Sequence, residues 1–267
     1  MPNKHGDFIW YELATSNADD AQSFYRTLLG WTYHDTGSAD MDYRIISART
    51  EGIGGVLAIT DEMRANGARP AWFGYLAVDD VDAAVAAISQ AGGSVVMPAT
   101  DVPGAGRIAM VGDPQGALFY VMKPMPPADK PDMTSNAFSA DRPRVGHCAW
   151  NELYADEPAA AITFYAERFG WRKDSEMDMG PMGTYEFLRH DHLIAGVMKR
   201  PAQMPVCAWC YYFRVPDVDV AVAAIKAGGG QILSGPDEIP GGEFALMVSD
   251  PQGAAFGLVG ARKGDPK

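Results

Sequence analysis

Several stretches of this chain occur twice in the same order, and no other feature of its 267 residues narrows the fold as much. Trp10-Tyr11-Glu12-Leu13 returns as Trp150-Asn151-Glu152-Leu153, and Phe24-Tyr25 with Gly30-Trp31 returns as Phe164-Tyr165 with Gly170-Trp171. Further on, Ala83 to Ile88 matches Val220 to Ile225, and Asp113-Pro114-Gln115-Gly116-Ala117 matches Asp250-Pro251-Gln252-Gly253-Ala254. Ordered self-similarity of this kind marks two copies of one supersecondary plan. The expected domains are residues 1–124 and 145–267. Between them, residues 125–144 carry prolines at 126, 127, 131 and 143 and no periodic apolar pattern, which reads as an extended linker with few packed contacts.

Each half reads as two smaller units. Residues 8–15 alternate as a strand, with Tyr11 and Leu13 on one face and Trp10, Glu12 and Ala14 on the other. A helix follows: Ser16 or Asn17 can cap it, Asp19 and Asp20 suit its positive end, and Ala21, Phe24, Tyr25 and Leu28 share one face before Gly30 stops it. Residues 42–48 and 53–59 then read as the strands of a hairpin. The second unit starts with a strand from Trp72 to Val78, followed by a helix capped by Asp80 and ended by Ala91-Gly92-Gly93. Strands near 94–97, 107–112 and 117–122 complete it. The fold class is α+β.

Charge narrows the partners. The chain has 34 acidic residues against 22 Lys and Arg, a formal net charge of −12, which repels a nucleic-acid backbone and an anionic bilayer alike. No apolar run reaches the roughly 20 residues of a membrane span, and MPNKHGDFIWYEL enters a strand pattern too soon for a leader. Three cysteines suit a reducing compartment better than a disulfide framework. The expectation is a cytoplasmic monomer or homodimer that takes a small-molecule ligand, with no nucleic-acid or membrane partner.

A strand, an amphipathic helix carrying Phe24-Tyr25 and ending Leu29-Gly30-Trp31, more strands, and Asp-Pro-Gln-Gly before a last strand, all doubled, resemble the vicinal oxygen chelate superfamily. That superfamily includes glyoxalase I, the extradiol dioxygenases and the bleomycin and fosfomycin resistance proteins. The resemblance covers nearly the whole chain outside the linker and is nearest to two-domain glyoxalase-like proteins often described as hydroxylases. It implies tandem domains, each of two βαβββ modules forming a curved mixed sheet around a cleft. It also implies a divalent metal held by His or Glu on the first strand of a module and Glu on its last. The matching positions here are Trp10, Phe73 and Tyr120 in the first half and Trp150, Cys210 and Gly257 in the second. None is a usual hard-metal ligand, so no cofactor is expected. A divalent metal on unusual ligands, such as Glu12 with His192, is the lesser alternative.

Alternation places Glu12 beside Trp10 and Glu152 beside Trp150 on the implied cleft face, and Tyr75 and Tyr212 beside Phe73 and Cys210. A carboxylate walled by aromatic rings is desolvated, which raises its pKa and suits it to acid-base work near neutral pH. The competing reading is a glutamate that accepts hydrogen bonds and holds the sheet. Glu12 and Glu152 are therefore the candidate catalytic residues. Trp10, Phe73, Tyr75, Tyr120, Trp150, Cys210, Tyr212 and Gly257 are the candidate ligand contacts. Since Gly257 and Cys210 stand where the first half has Tyr120 and Phe73, the second cleft is expected to be the roomier. Cys207-Ala208-Trp209-Cys210 begins a strand, which sends its sulfurs to opposite faces and argues against a redox pair. His190-Asp191-His192 reads as a solvated hairpin, and His147 as facing away from Trp150.

Three functions follow. The first is an enzyme of lyase, isomerase or hydroxylase type acting on a small, partly aromatic or carbonyl-bearing metabolite. The second is a non-catalytic protein that binds or sequesters a small molecule. The third is a metal-dependent glyoxalase-like lyase or dioxygenase.

Overall fold

The computed structural model describes residues 3–37, 41–126, 129, 132–139 and 143–263. The first half runs β1 (Phe8–Thr15), α1 (Ala18–Leu29), β2 (Thr32–Asp35), β3 (Tyr43–Ala48), β4 (Glu51–Ala58), a short α2 (Asp61–Ala65), β5 (Ala71–Ala77), α3 (Val81–Gln90), β6 (Ser94–Val102), β7 (Gly106–Gly112) and β8 (Leu118–Pro124). The second half repeats it as β9 (Cys148–Ala155), α4 (Pro158–Phe169), β10 (Arg172–Asp178), β11 (Thr184–Arg189), β12 (Leu193–Lys199), β13 (Ala208–Arg214), α5 (Val218–Ala227), β14 (Gln231–Ile239), β15 (Glu243–Ser249) and β16 (Ala255–Gly260). The strands form two eight-stranded mixed sheets of identical order, β2-β3-β4-β1-β5-β8-β7-β6 and its counterpart from β10 to β14.

The helix ends follow the capping signals. Asn17 accepts from the Asp20 N–H at 3.1 Å, and Gly30 ends α1 at φ 70°. Asp80 and Asp217 cap α3 and α5 in the same way. α4 has no side-chain cap but opens with Pro158, whose missing N–H costs nothing at a first turn. There Gln115 holds the backbone of Glu157 with both ends of its amide, at 2.7 and 3.0 Å. β2 and β10 had no sequence signal: TYHD and RKDSEMD are exposed edge strands whose charge also discourages pairing with other chains.

Compactness divides the chain differently from the repeat. One unit comprises the chain through Trp10, Phe73–Ser135 and Trp150–Trp209; the other comprises Tyr11–Trp72, Asn136–Ala149 and the chain from Cys210. Each unit thus combines one module from each half, and β1, β5, β9 and β13 pass from one unit to the other along their length. In the first unit the Trp171 indole donates to the Gly6 carbonyl at 2.9 Å, and Tyr165 stacks on Trp171 at 5.1 Å. The Tyr165 hydroxyl donates to Asp113 Oδ2 at 3.1 Å and accepts from Trp209 Nε1 at 2.9 Å. The second unit reproduces this with the halves exchanged. Trp31 donates to the Gly146 carbonyl at 2.8 Å, Trp72 to the Tyr25 hydroxyl at 2.9 Å, and Tyr25 to Asp250 Oδ2 at 3.1 Å. The Phe-Tyr and Asp-Pro-Gln-Gly motifs are therefore the two ends of one hydrogen bond between halves. Each aspartate's other oxygen accepts two backbone N–H groups of its own turn, so the buried carboxylate is fully used.

The later part of the linker is packed, which corrects the expectation of a free tether. Ser135 takes its N–H to Asn3 Oδ1 at 2.7 Å and its hydroxyl to the Ile9 carbonyl at 2.5 Å. Ala137 is buried, Phe138 bridges Cys148 in parallel, and Arg144 holds both oxygens of Glu51. The prolines suppress regular structure there, but the backbone finds partners on its neighbours. Pro127 and Pro131 lie outside the described residues. Among the described residues no helix is long and apolar enough to cross a membrane.

Candidate functional site

Glu152 lies on β9 between Asn151 and Leu153, both fully buried. Its register partner on β12 is Gly196, which pairs in turn with Phe187 on β11. A Cβ at position 196 would lie 2.1 Å from the Tyr185 hydroxyl. Glycine is required there because the Tyr185 ring crosses β12 over bare backbone to reach the next strand. Its hydroxyl donates to Glu152 Oε2 at 2.7 Å and accepts from the Trp150 indole at 2.7 Å. Phe187 lies against both rings, 6.0 Å from Trp150 and 5.0 Å from Tyr185 between centroids. Burial, reinforced by the charge of Glu152, pushes the Tyr185 phenol well above its ordinary value, so it remains a protonated donor through the neutral range.

The first repeat builds the same frame. Gly55 is the register partner of Glu12, which is buried, and a Cβ at 55 would lie 2.1 Å from the Tyr43 hydroxyl. Tyr43 and Tyr185 escaped the sequence reading, although each lies at the start of a strand, as its first or second residue, that precedes, at matching places in the repeat, a strand with a glycine opposite the glutamate. Burial raises the carboxyl pKa of Asp113 and Asp250, residues that reading had assigned only to turns.

Two further chains of tryptophan, tyrosine and carboxylate are interior latches. In Trp209–Tyr165–Asp113 and Trp72–Tyr25–Asp250 no member exceeds 7% exposure. The Glu152 group differs at one end. Glu152 and Tyr185 are buried, at 6% and 7%, whereas Trp150 and Phe187 are only half-buried, so the aromatic edge reaches solvent.

The positions implied for a metal are occupied by other chemistry. In the first half Tyr75 and Tyr120 stack at 4.2 Å and 12°, Phe73 meets Tyr120 edge-on at 6.1 Å, and half-buried Trp10 packs on the same cluster. In the second half the Cys210 thiol and the Tyr212 hydroxyl each lie 3.3 Å from Met247 Sδ. Phenylalanine and glycine supply no donor and the indole nitrogen has no free lone pair, so these sets do not fit a hard divalent ion. Among the described residues no three of His, Cys, Asp and Glu come together to hold a metal.

The expectation of extra room at Gly257 is corrected. A Cβ there would lie 2.2 Å from the ring of its register partner Tyr212, which has moved over the bare backbone. Gly257→Ala is accordingly expected to destabilise the fold by about 1–3 kcal/mol, measured by urea titration, because the ring must be displaced. An unchanged midpoint would show that Tyr212 has somewhere else to go. His190 is likewise not a solvated turn residue: its Nδ1 lies 3.0 Å from Asp7 Oδ1, with both side chains about five-sixths buried, at 15% and 16% exposure. His147 is buried, its Nδ1 2.7 Å from the Asn136 carbonyl. Cys148, Cys207 and Cys210 are buried and joined by no disulfide.

Known proteins share both sequence and fold. The family model described as the Glyoxalase/Bleomycin resistance protein/Dioxygenase superfamily matches residues 8–121 and 144–258. "Putative glyoxylase CFP32" of Mycobacterium tuberculosis is 32% identical over 261 residues, 96% of this chain and 95% of that protein. The anthracycline biosynthesis protein DnrV of Streptomyces peucetius is 30% identical over 279 residues, covering 96% of this chain and 94% of its own. Among solved structures, the Mn(II)-bound glyoxalase from Novosphingobium aromaticivorans aligns with TM-score 0.64 at 18% identity, covering 96% of this chain and 82% of that one. The 2,3-dioxygenase LapB from Pseudomonas sp. KL28 aligns with TM-score 0.64 at 13% identity, covering 97% and 94%. At these identities the two structures speak for the fold alone.

Proposed function

This chain belongs to the glyoxalase, bleomycin resistance protein and dioxygenase superfamily, and on that premise we propose that it is an enzyme that moves a proton on a small aromatic or carbonyl-bearing metabolite, with Glu152 as the acid-base group. The observation that carries this reading is the open edge of the Glu152 group: a buried carboxylate held by a protonated tyrosine, behind two half-buried rings. Trp150 and Phe187, their rings tilted by 56° to each other, offer an apolar edge against which an aromatic ligand can pack. The Tyr185 hydroxyl donates to Glu152 Oε2 at 2.7 Å and fixes the direction of the carboxyl group, as positioned acid-base work requires. The base takes a proton from carbon beside a carbonyl, the electron pair moves onto the carbonyl oxygen, and return of the proton at another atom completes an isomerisation. Loss of a neighbouring group at that stage would instead give a lyase reaction. The relatives' names, one denoting a glyoxylase and the other a protein of anthracycline biosynthesis, support a small-metabolite substrate.

A second reading is a sequestering protein, favoured by the use of the same tryptophan, tyrosine and carboxylate arrangement as a mere latch elsewhere in the chain. Extraction of the purified protein and mass spectrometry of the released small molecule separates the two. The enzyme reading expects that molecule, resupplied in excess, to be converted over many turnovers. Recovery of one intact equivalent per site would assign sequestration instead.

A further inference from the structure

The row of residues through Gly257 differs between the repeats in its chemistry. In the second half the strand register sets Tyr212 on β13, Gly257 on β16 and Met247 on β15 side by side, and in the first half it sets Tyr75, Tyr120 and Met110 in the same order. Both halves thus keep a tyrosine and a methionine at the ends of the row. In the first half the middle is filled by the Tyr120 ring, which stacks on Tyr75 at 4.2 Å and is met edge-on by Phe73. In the second, the bare backbone of Gly257 lets the Tyr212 ring lie over β16, and its hydroxyl reaches Met247 Sδ at 3.3 Å. Cys210, which stands where the first half has Phe73, brings its thiol to the same sulfur, also at 3.3 Å. One thioether therefore receives a thiol and a phenol as donors. Cys210 and Tyr212 are buried, whereas Met247 is half-buried and is the most exposed of the three.

We propose that these three side chains form an oxygen relay, in which Met247 takes an oxygen atom from a peroxide and passes it to Cys210. In the first step a lone pair of Met247 Sδ attacks one peroxide oxygen, the O–O bond breaks, and the methionine becomes a sulfoxide while water, or an alcohol from an organic hydroperoxide, departs. In the second step the Cys210 sulfur takes that oxygen. The sulfur–oxygen bond at Met247 breaks and returns its electron pair to the thioether, a sulfur–oxygen bond forms at Cys210, and the thiol proton ends on the oxygen. Methionine is reduced by two electrons as cysteine is oxidised by two, to a sulfenic acid. The Tyr212 hydroxyl, already directed at this sulfur, can donate to the sulfoxide oxygen and draw charge from the bond that breaks. A low-molecular-weight thiol then condenses with the sulfenic acid to give a mixed disulfide and water, and a second such thiol releases Cys210. Burial shields Cys210 from direct attack, because susceptibility to oxidants follows exposure, so the oxygen enters at Met247. Met110 is half-buried as well, but with phenylalanine at position 73 it has no thiol there to receive the oxygen.

The test treats the full-length protein with equimolar hydrogen peroxide, removes the excess with catalase, unfolds the chain in urea containing dimedone to trap sulfenic acid, and reads each sulfur by mass spectrometry of the digest. Wild type is expected to carry the dimedone adduct on Cys210 and severalfold less sulfoxide at Met247 than at Met110. Cys210→Ser should raise the sulfoxide at Met247 to the level at Met110, and Met247→Leu should lose the adduct on Cys210. Tyr212→Phe should slow the transfer, so that sulfoxide persists at Met247 after the peroxide is gone. The comparison with Met110 is made inside the unsubstituted chain, so the test stands even if a variant fails to fold. An adduct undiminished in Met247→Leu would mean that peroxide oxidises Cys210 directly, and would overturn the relay. Equal sulfoxide at Met247 and Met110 in wild type, or no adduct on Cys210, would overturn it as well. Either result leaves the assignment of Glu152 untouched.

Discussion

Glu152→Gln is expected to lower turnover of the chain's substrate by about 10²–10⁴-fold, the usual contribution of a positioned acid-base group. Glutamine fills the same volume, and its carbonyl can still accept the Tyr185 hydroxyl that now reaches Oε2 at 2.7 Å, so the fold and the aromatic face should be retained. It cannot take up a proton. The loss should therefore appear in kcat with little change in KM, the pattern of an interaction used in the transition state rather than in binding. Making the same change at Glu12 separates the two repeats, and the Glu152 assignment expects the larger loss at 152. Unchanged turnover in Glu152→Gln would make that residue a sheet-holding acceptor and move the chemistry elsewhere.

The largest effect on stability is expected at Asp250, where Asp250→Ala should cost about 3–5 kcal/mol. The change strands the Tyr25 hydroxyl and the N–H groups of Gln252 and Ala254 around a buried hole. The loss should depend on pH in an unusual direction. Burial raises the Asp250 pKa in the fold, so the folded state holds its proton where the unfolded chain has already released it. The stabilisation from this group is fully present below the ordinary carboxylate value of about 3.9 and declines as pH rises through the raised folded value. Urea titrations of wild type and Asp250→Ala should therefore differ more in mild acid than at neutrality. A difference that grows with pH would mean that the Tyr25 and backbone hydrogen bonds outweigh desolvation in the fold.

The order of elements was legible in the sequence because the repeat, the caps at Asn17, Asp80 and Asp217 and the amphipathic face of α1 all act locally. β2 and β10 were not, because an exposed edge strand needs no apolar alternation. The pattern around Tyr25 announced a buried residue but not its partner, since nothing near residue 25 encodes contact with an aspartate 225 residues away. At the site, period-two alternation placed Glu152 but missed Tyr185, whose reach depends on the absence of a side chain at Gly196 on the intervening strand. Gly257 shows the same limit from the other side. Subtracting a tyrosine from the sequence suggested space, and the ring of Tyr212 fills it.

The interleaving of the halves also sets a timetable. The unit containing Trp209 can close once that residue has emerged, but the other waits for the chain beyond Cys210. At roughly 5–20 residues per second, the 225 residues between Tyr25 and Asp250 take on the order of ten to forty-five seconds to synthesise. Throughout that interval Tyr25 lacks its acceptor, and Trp72 waits until residue 213 is made for Phe213, its ring neighbour at 4.8 Å. Nascent first halves therefore present aromatic surface to solvent or to one another for far longer than a domain closed by local contacts, and a chain halted after Trp209 has emerged but before Asp250 is made holds one finished unit and one unfinished.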